Sequence, residues 1–450
     1  MNLSTLASGG RIFSFLRSSD HRASLLRGTA GSFLNKVAAN GLLFISQILF
    51  ARTLGLQDYG IYVVALAWLS VLVLFGRLGF DMATVRFVAG FNSQKEFGAL
   101  RGFLIVARTT AFGASLLVSG AIAAIVMLCG DSMSVTTGKS LLIVALIIPL
   151  FALVQIEAAA IRGLGRVVLG DIPLSIGHPL ILIGTFFLLT EQSQQGSSAE
   201  TALYAYLIAT GLTLLALWPA MARLLPRASE AARRVFRWRE WTGTALMMTM
   251  IAGFGVMLAQ MSTIVTGWLA GPETAGLFGA AGRLASTLLI VSFSLCTAIA
   301  PLAAGMTDRH RLQESLNAGL KAIMMASVAV ALILLAFGDV LLGLFGEAFT
   351  EASGALAIMV LGQLVAAAAA PAGIVLNMLG GQRQAASILA GAVIVNLCLL
   401  LVLVPPYGLI GAATATALTT ACCQWIMALA TRTRFGLSTA IGLRAKNIDS

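Results

Sequence analysis

Apolar runs of about 20 residues recur along the whole of this chain, separated by short polar, glycine-rich or proline-rich breaks. A helix of that length rises 1.5 Å per residue and crosses roughly 30 Å of hydrocarbon. Only 10% of the 450 residues are charged, against roughly 25% in an ordinary soluble protein. A soluble globular fold is therefore excluded. Since lipid offers backbone groups no partner, uninterrupted apolar segments this long predict helices and not barrel strands.

The breaks divide the chain into twelve predicted transmembrane helices. The first six lie near 31–51, 60–80, 101–129, 139–161, 168–190 and 201–222, and the second six near 242–270, 277–305, 317–345, 354–378, 385–404 and 408–431. We therefore predict an all-α polytopic membrane protein.

Basic residues alternate strongly between the two ends of these helices. Of the 29 Lys and Arg residues, 23 lie in the termini and the even-numbered connections, whereas the odd-numbered connections hold only Arg52 and Lys139. Such an excess marks the cytoplasmic side, so both termini are predicted to be cytoplasmic. The net charge of +11 is then explained by the excess of Lys and Arg on the cytoplasmic side, and no nucleic-acid partner is expected.

The second half of the sequence repeats the first at an offset of 216 or 217 residues. Gly55 and Gly60 fall on Gly271 and Gly276, residues 100–102 fall near 316–319, and residues 162–166 fall on 379–383. Parallel repeats of this kind occur in transporters whose two bundles move about a central site. We predict two pseudo-symmetric six-helix lobes around a central cavity.

The long basic gap near the middle of the chain sets the predicted domain boundaries. It is rich in Arg and aromatic residues, which suit either a helix at the cytoplasmic headgroup level or a solvated linker. The predicted units are a basic N-terminal arm (1–30), an N-lobe (31–222), an inter-lobe linker (223–241), a C-lobe (242–432) and a cytoplasmic tail (433–450).

Four basic residues fall inside the predicted spans: Lys36, Arg77, Arg108 and Arg283. Each costs at least a few kcal/mol if it faces lipid, so these side chains should point inward to a partner or to water. The only clearly intramembrane acid is Glu157. The interior is therefore cationic on balance, which favours an anionic cargo.

Lys36, Asn40 and Gln47 share one stripe of the first predicted helix, at spacings of four and seven residues. This stripe is either the wall of a cavity with a phosphate-binding ammonium, or a snorkelling Lys with amides that hold helices together.

The other basic residues have alternatives of the same kind. Arg108 and Glu157 lie at similar depth in neighbouring spans, which suits either a structural ion pair or a cavity site. Arg77 and Asp81 are four residues apart, a spacing that favours a local pair. Arg283 has no obvious partner nearby in sequence and is the strongest candidate for an anion site.

Two residues are candidates for coupling transport to an ion gradient, Glu157 and His178. His178 lies near the middle of the fifth predicted span and precedes Pro179, so it is either a titrating group or a hydrogen-bonded residue beside a helix kink. The chain has no phosphate-binding loop motif and no metal-ligand cluster. We expect neither enzymatic activity nor a cofactor.

Several motifs resemble the polysaccharide transporter, or lipid-linked oligosaccharide flippase, branch of the multidrug/oligosaccharidyl-lipid/polysaccharide exporter superfamily. They are found at residues 51–55 (ARTLG), 58–62 (DYGIY), 78–83 (LGFDMA), 86–89 (RFVA), 276–278 (GLF), Asn396, 405–408 (PPYG) and 411–416 (GAATAT). The resemblance covers roughly residues 25–435. It implies twelve to fourteen helices in two lobes around a V-shaped, often cationic cavity.

The same resemblance implies a function, namely a flippase for undecaprenyl-diphosphate-linked oligosaccharide in the bacterial inner membrane, serving exopolysaccharide, O-antigen or capsule synthesis. A polysaccharide polymerase and a chain-length regulator are the implied protein partners. One alternative is a drug or cation antiporter of the same superfamily, which should use intramembrane carboxylates. The other is a non-transporting membrane subunit of polysaccharide assembly.

Overall fold

A computed structural model describes residues 19–129, 134–192, 197–226, 232–305 and 309–442 of the chain. These residues form helices joined by short connections, with no strand among them. Nine helical stretches in this part of the chain are long and apolar enough to cross a membrane. The predicted all-α polytopic membrane fold is confirmed, while the count of twelve spans stays a prediction.

Thirteen α-helices follow one another along the described chain. They are α1 (Ser19–Arg77), α2 (Phe80–Gln94), α3 (Phe97–Cys129), α4 (Val135–Gly163), α5 (Val167–Ile172), α6 (His178–Gln192), α7 (Ala199–Leu224), α8 (Trp238–Gly305), α9 (Arg309–Ala336), α10 (Gly338–Gly343), α11 (Ser353–Ala367), α12 (Ala372–Met378) and α13 (Gln382–Phe435). A π-helical turn, Pro173–Gly177, lies between α5 and α6, and a 3₁₀ helix, Glu347–Ala352, precedes α11.

The three longest helices are each interrupted at one glycine with positive φ. Gly55 in α1 has φ 74° and ψ 175°, and Gly271 in α8 has nearly the same values, φ 87° and ψ 168°. Gly408 interrupts α13 at φ 51°. Glycine has no Cβ and adopts these angles without strain. All three glycines lie at or between the ends of predicted spans, so these interruptions match the predicted connections.

The two halves pack against each other through α1 and α8, beside the Gly55 and Gly271 kinks. A Cβ added to Gly60 would lie 1.8 Å from the carbonyl oxygen of Pro272, and one added to Gly276 would lie 3.2 Å from the Cα of Gly60. Residues without side chains allow such close helix contact. The end of the bundle that carries Gly55 and Gly271 is called the kink end below.

The internal repeat is visible in the backbone, with one correction to its third match. Gly55 and Gly271 share a kink, and Gly60 and Gly276 meet at the interface between the halves. The left-handed glycine after α4 is Gly165 (φ 83°), and its counterpart after α12 is Gly380 (φ 85°). Their offset is 215 residues. The sequence match instead paired Gly380 with Gly163, a helical residue two positions before Gly165.

Two predicted spans are broken where a proline stands. The span near 354–378 contains a turn before α12, which begins after Pro371, and the span near 168–190 contains the π-helical turn Pro173–Gly177. Proline lacks an N–H and clashes with the preceding helical turn, so it interrupts the regular hydrogen-bond pattern. The apolar span in the structure matches the predicted 168–190 closely, at Val167–Glu191, whereas the predicted 354–378 corresponds to Glu347–Ala367. A kink beside His178 was one of the predicted alternatives, but the break at Pro371 was not predicted.

Where the structure describes the linker between the halves, residues 233–240 are exposed. Residues 233–237 have no regular secondary structure, and the backbone N–H of Val235 donates to the carbonyl of Gly98 at 3.1 Å. Trp241, at the start of α8, is fully buried against Phe91 and Phe103. The end of the linker is therefore anchored to the first half of the chain.

Candidate functional site

Arg283 lies in α8, twelve residues past the Gly271 kink, which is roughly 18 Å along a helix. Its side chain is partly buried. Among the residues that the structure describes, its guanidinium has no carboxylate partner. A cation at this depth is costly unless an anion or water offsets the cost. Of the predicted anion-site residues, Arg283 keeps the strongest case.

Arg283 lies next to the first half of the chain, because Gly279, one helical turn earlier in α8, is packed against Val63 of α1. The hydroxyl of Tyr59 donates to Oε1 of Gln47 at 3.0 Å, and Tyr59 is 1% exposed. Gln47 and Tyr59 both lie in α1, so this hydrogen bond stays within the first half. Asn40, on the same stripe as Gln47, is partly buried. The side chain of Lys36 lies outside the part that the structure describes.

Arg108 forms a two-pronged ion pair with Glu157. Its Nε and Nη2 donate to the two carboxylate oxygens at 2.6 and 2.7 Å, and Glu157 is fully buried. The guanidinium also lies 4.8 Å from the ring centre of Trp218, a favourable cation–π arrangement. This geometry supports a structural ion pair and not a cavity site. Neither Arg108 nor Glu157 is therefore proposed as a ligand for the cargo or for a coupling ion.

Arg77 is also paired, with an acid on its own side of the bundle. Its Nη1 lies 2.8 Å from Oδ2 of Asp81, one helical turn further along the chain. This is the local pair that the four-residue spacing favours. With both charges matched, Arg77 is not proposed as a ligand for an anionic cargo.

His178 lies in a cavity of about 230 Å³ inside the first half of the molecule, called the N-lobe cavity below. The residues that line it come from α1, α4, α6, α7 and the π-helical turn: Leu43, Ser46, Gln47, Tyr62, Leu66, Phe151, Leu174, His178, Pro179, Leu182 and Tyr206. His178 is 6% exposed, and its Nε2 is 3.2 Å from the Thr210 hydroxyl. This bond matches the structural alternative for His178.

Sequence reasoning found Gln47 and His178 but missed Tyr62, Phe151 and Tyr206. Each of the missed residues is an aromatic side chain within a long apolar helix. No spacing links them in the sequence, because they come from three separate helices. Among the described residues there is also no group of three metal-ligand side chains.

Comparison with known proteins places these features in a family. Residues 25–307 match the family model described as polysaccharide biosynthesis protein, and residues 239–402 match the MatE model. A relative from Haloferax volcanii, described as a probable low-salt glycan biosynthesis flippase, Agl15, is 23% identical over 400 residues, covering 88% of this chain and 80% of its own length.

Solved structures share the fold at low sequence identity. An inward-facing multidrug resistance MATE family transporter matches with a TM-score of 0.69 at 14% identity, over 89% of this chain and 94% of its own. The lipid II flippase MurJ, in an inward closed conformation, matches with a TM-score of 0.66 at 15% identity, over 90% and 87%. The family match covers more than half of the chain, so this protein belongs to the polysaccharide biosynthesis protein family.

Proposed function

We propose that this protein is a flippase that moves undecaprenyl-diphosphate-linked oligosaccharide across the bacterial inner membrane, for the synthesis of an exopolysaccharide, O-antigen or capsule. The family to which the chain belongs and the glycan biosynthesis flippase of Haloferax volcanii support a lipid-linked glycan as cargo. The fold shared with MurJ, described as a lipid II flippase, is consistent with this role.

The observation that carries the proposal is the state of Arg283. A partly buried guanidinium at mid-helix depth, with no carboxylate partner among the described residues, calls for an anion. A diphosphate supplies two phosphate groups, and guanidinium matches phosphate geometry with paired hydrogen bonds. Arg283 also lies beside the contact between the two halves, where a cargo between two lobes would be held.

The proposed mechanism is alternating access without a covalent step. Arg283 binds the diphosphate and offsets part of its negative charge, while the polyprenyl tail stays in the bilayer between the lobes. The kink end is proposed to face away from the cytoplasm, because the Lys and Arg residues are concentrated at the opposite end. A polysaccharide polymerase and a chain-length regulator are proposed to act on the cargo afterwards.

The antiporter alternative is disfavoured by the carboxylates. A cation exchanger needs an acid in the membrane that is free to bind and release its ion. Glu157 is held by Arg108 through both oxygens, Asp81 is held by Arg77, and Asp171 is held by Arg162 at 2.9 Å. A non-transporting assembly subunit would not require an unpaired cation such as Arg283.

The test measures the flipping of a fluorescent polyprenyl-diphosphate sugar in proteoliposomes, and the readout is the quenching of the label in the outer leaflet. A hydrogen bond to a charged group contributes about 1.5–3 kcal/mol, so Arg283→Ala should slow flipping by about 10- to 100-fold. Arg283→Lys should retain part of the activity, because the charge remains without the paired hydrogen bonds.

The matched control is Arg383→Ala, since Arg383 is an exposed arginine in the same half of the chain. This control should flip the lipid at the wild-type rate. Reconstitution efficiency and thermal stability are measured for all three variants to show that the protein is inserted and folded. Wild-type flipping by Arg283→Ala would remove Arg283 from the site and with it the main support for an anionic cargo.

A further inference from the structure

The N-lobe cavity contains two tyrosine hydroxyl groups that form no hydrogen bond with the residues that the structure describes. Tyr62 is 1% exposed and Tyr206 is partly buried, and both side chains line the cavity. Among the described residues, neither hydroxyl has a hydrogen-bond partner. A polar group without a partner costs free energy inside a membrane-embedded bundle. These two hydroxyls are therefore available to a ligand or to water.

The internal repeat shows that the Tyr62 hydroxyl is not needed for packing. At the offset of 216 residues, the second half places Phe278 at the equivalent position, where it is 5% exposed in the hydrophobic core. Phenylalanine has the same ring without the hydroxyl. The first half thus carries a polar atom at a position that the second half fills with an apolar side chain.

The chemistry of the cavity suits a neutral ligand rich in hydroxyl groups. None of the described residues that line it is an Asp, Glu, Lys or Arg. Its polar groups are hydroxyl, amide and imidazole, which donate to and accept from sugar hydroxyls. Phe151 and Tyr206 add aromatic rings, against whose negative faces the C–H groups of a sugar ring pack well.

The size of the cavity limits what it can hold. About 230 Å³ is below the roughly 300–1,000 Å³ of pockets that accept drug-sized ligands. The cavity therefore has room for one sugar ring and not for a chain of them.

The backbone around His178 is irregular in a way that ordinary helix packing does not require. The π-helical turn Pro173–Gly177 precedes it directly, and Pro179 follows it. Single π-helical turns within helices occur frequently at functional sites. The turn brings Leu174 and His178, both of which line the cavity, onto the same face of this segment.

The cavity is adjacent to the proposed diphosphate site. Tyr62 and Leu66 line the cavity from α1, and Val63, the residue after Tyr62, packs against Gly279, one helical turn before Arg283 in α8. In a lipid-linked oligosaccharide, the first sugar is bonded directly to the diphosphate. We infer that the N-lobe cavity binds this first sugar unit while Arg283 holds the diphosphate. The inference rests on the proposed flippase function and adds a sugar-recognition site to it.

The test compares two kinds of ligand on the purified full-length protein in detergent. The probes are undecaprenyl diphosphate and the same lipid carrying one glucose, galactose or N-acetylglucosamine, with affinities measured by native mass spectrometry. Wild-type protein should bind at least one sugar-bearing lipid about 10-fold more tightly than the bare lipid, the value of roughly two net hydrogen bonds. The double variant Tyr62→Phe, Tyr206→Phe should lose this preference.

Arg283→Ala should weaken the binding of all four lipids alike, because it acts on the diphosphate. The matched control is Tyr204→Phe, which removes a hydroxyl from the same helix, α7, at a position that is 47% exposed on the outside of the bundle. It should leave the preference unchanged.

The outcomes separate the two proposals. Equal binding of the bare and sugar-bearing lipids would overturn the sugar site and leave the flippase proposal standing. An unchanged preference in the double variant would show that the cavity holds only solvent, which also overturns the sugar site. Failure to bind any of the diphosphate lipids would overturn the proposed function together with this inference.

Discussion

Basic side chains inside the spans of this protein differ in what balances their charge. Arg108 and Arg77 each contact a carboxylate within 2.8 Å, whereas Arg283 contacts none among the described residues. Pairing allows an arginine to be buried as part of the scaffold, while an unpaired one keeps its hydrogen-bonding capacity for a ligand. The presence of a carboxylate partner, more than the position in the membrane, separates Arg77 and Arg108 from Arg283, the proposed ligand of the diphosphate.

The Arg108–Glu157 pair gives a prediction about stability. Glu157→Gln leaves the Arg108 guanidinium without its counter-charge, and breaking a buried pair from one side costs about 3–5 kcal/mol. The variant should unfold at a clearly lower temperature than the wild type, measured by the fluorescence of the detergent-solubilised protein. The double variant Arg108→Gln, Glu157→Gln should recover much of the loss, since no charge is left unpaired.

Transport measurements complete this test. Because the pair is proposed to be structural, the double variant should flip the lipid at a rate close to that of the wild type. A double variant that is stable but inactive would assign Glu157 or Arg108 a part in binding cargo or a coupling ion.

Some of these contacts could be predicted from the sequence and others could not. The Arg77–Asp81 contact follows from helical spacing, and the Arg108–Glu157 contact follows from equal depth in neighbouring spans. The contact of Tyr59 with Phe349 depends on how the two halves dock. That docking is a property of the folded molecule, and no local pattern in the chain encodes it.

At the scale of elements, the two glycines of each Gly-x4-Gly motif have different tasks. The first, Gly55 or Gly271, provides the kink, and the second, Gly60 or Gly276, provides the close contact between α1 and α8. The sequence repeat predicted that the motif matters in both halves. It did not indicate that the second glycines of the two motifs meet each other.

Gly60→Ala tests the close contact. The added methyl group would lie 1.8 Å from the Pro272 carbonyl oxygen, so α1 and α8 must move apart. Overpacking of this kind typically costs about 1–3 kcal/mol, and the variant should melt at a lower temperature than the wild type. The control is Gly113→Ala in α3, where a Cβ meets nothing within 4 Å. Equal melting temperatures for the two variants would contradict tight packing at Gly60.

The breaks at Pro371 and at Pro173–Gly177 show where element prediction from hydropathy stops. An apolar run indicates that a segment lies in the membrane. The mean hydropathy of that segment does not show that a proline removes one of its backbone hydrogen bonds. A kink beside His178 was one of the predicted alternatives, but its π-helical form at Pro173–Gly177 was found only in the structure.

At the scale of the whole molecule, the two halves are joined at the kink end by contacts of several kinds. Nε of Arg52 donates to the carbonyl of Leu344 at 2.6 Å, and the ring of Phe44 lies edge-on to that of Phe345, with their centres 5.7 Å apart. Tyr59 meets Phe349 in the same way at 5.5 Å. In each contact one partner comes from α1 and the other from the segment that precedes α11. Alternating access requires all of them to separate.

This requirement leads to the last prediction. In a variant whose native cysteines are replaced, Phe44→Cys and Phe345→Cys are joined by a short bifunctional thiol reagent, which should hold the kink end closed and stop flipping in proteoliposomes. The reagent is attached to each cysteine through a disulfide, so a reductant cleaves the cross-link and should restore flipping. The control pair, Phe50→Cys and Phe186→Cys, joins two rings 4.7 Å apart within the first half, and its cross-link should leave flipping intact because the halves still move. Undiminished flipping by the cross-linked Phe44–Phe345 pair would show that cargo passes without separation of the halves at this end.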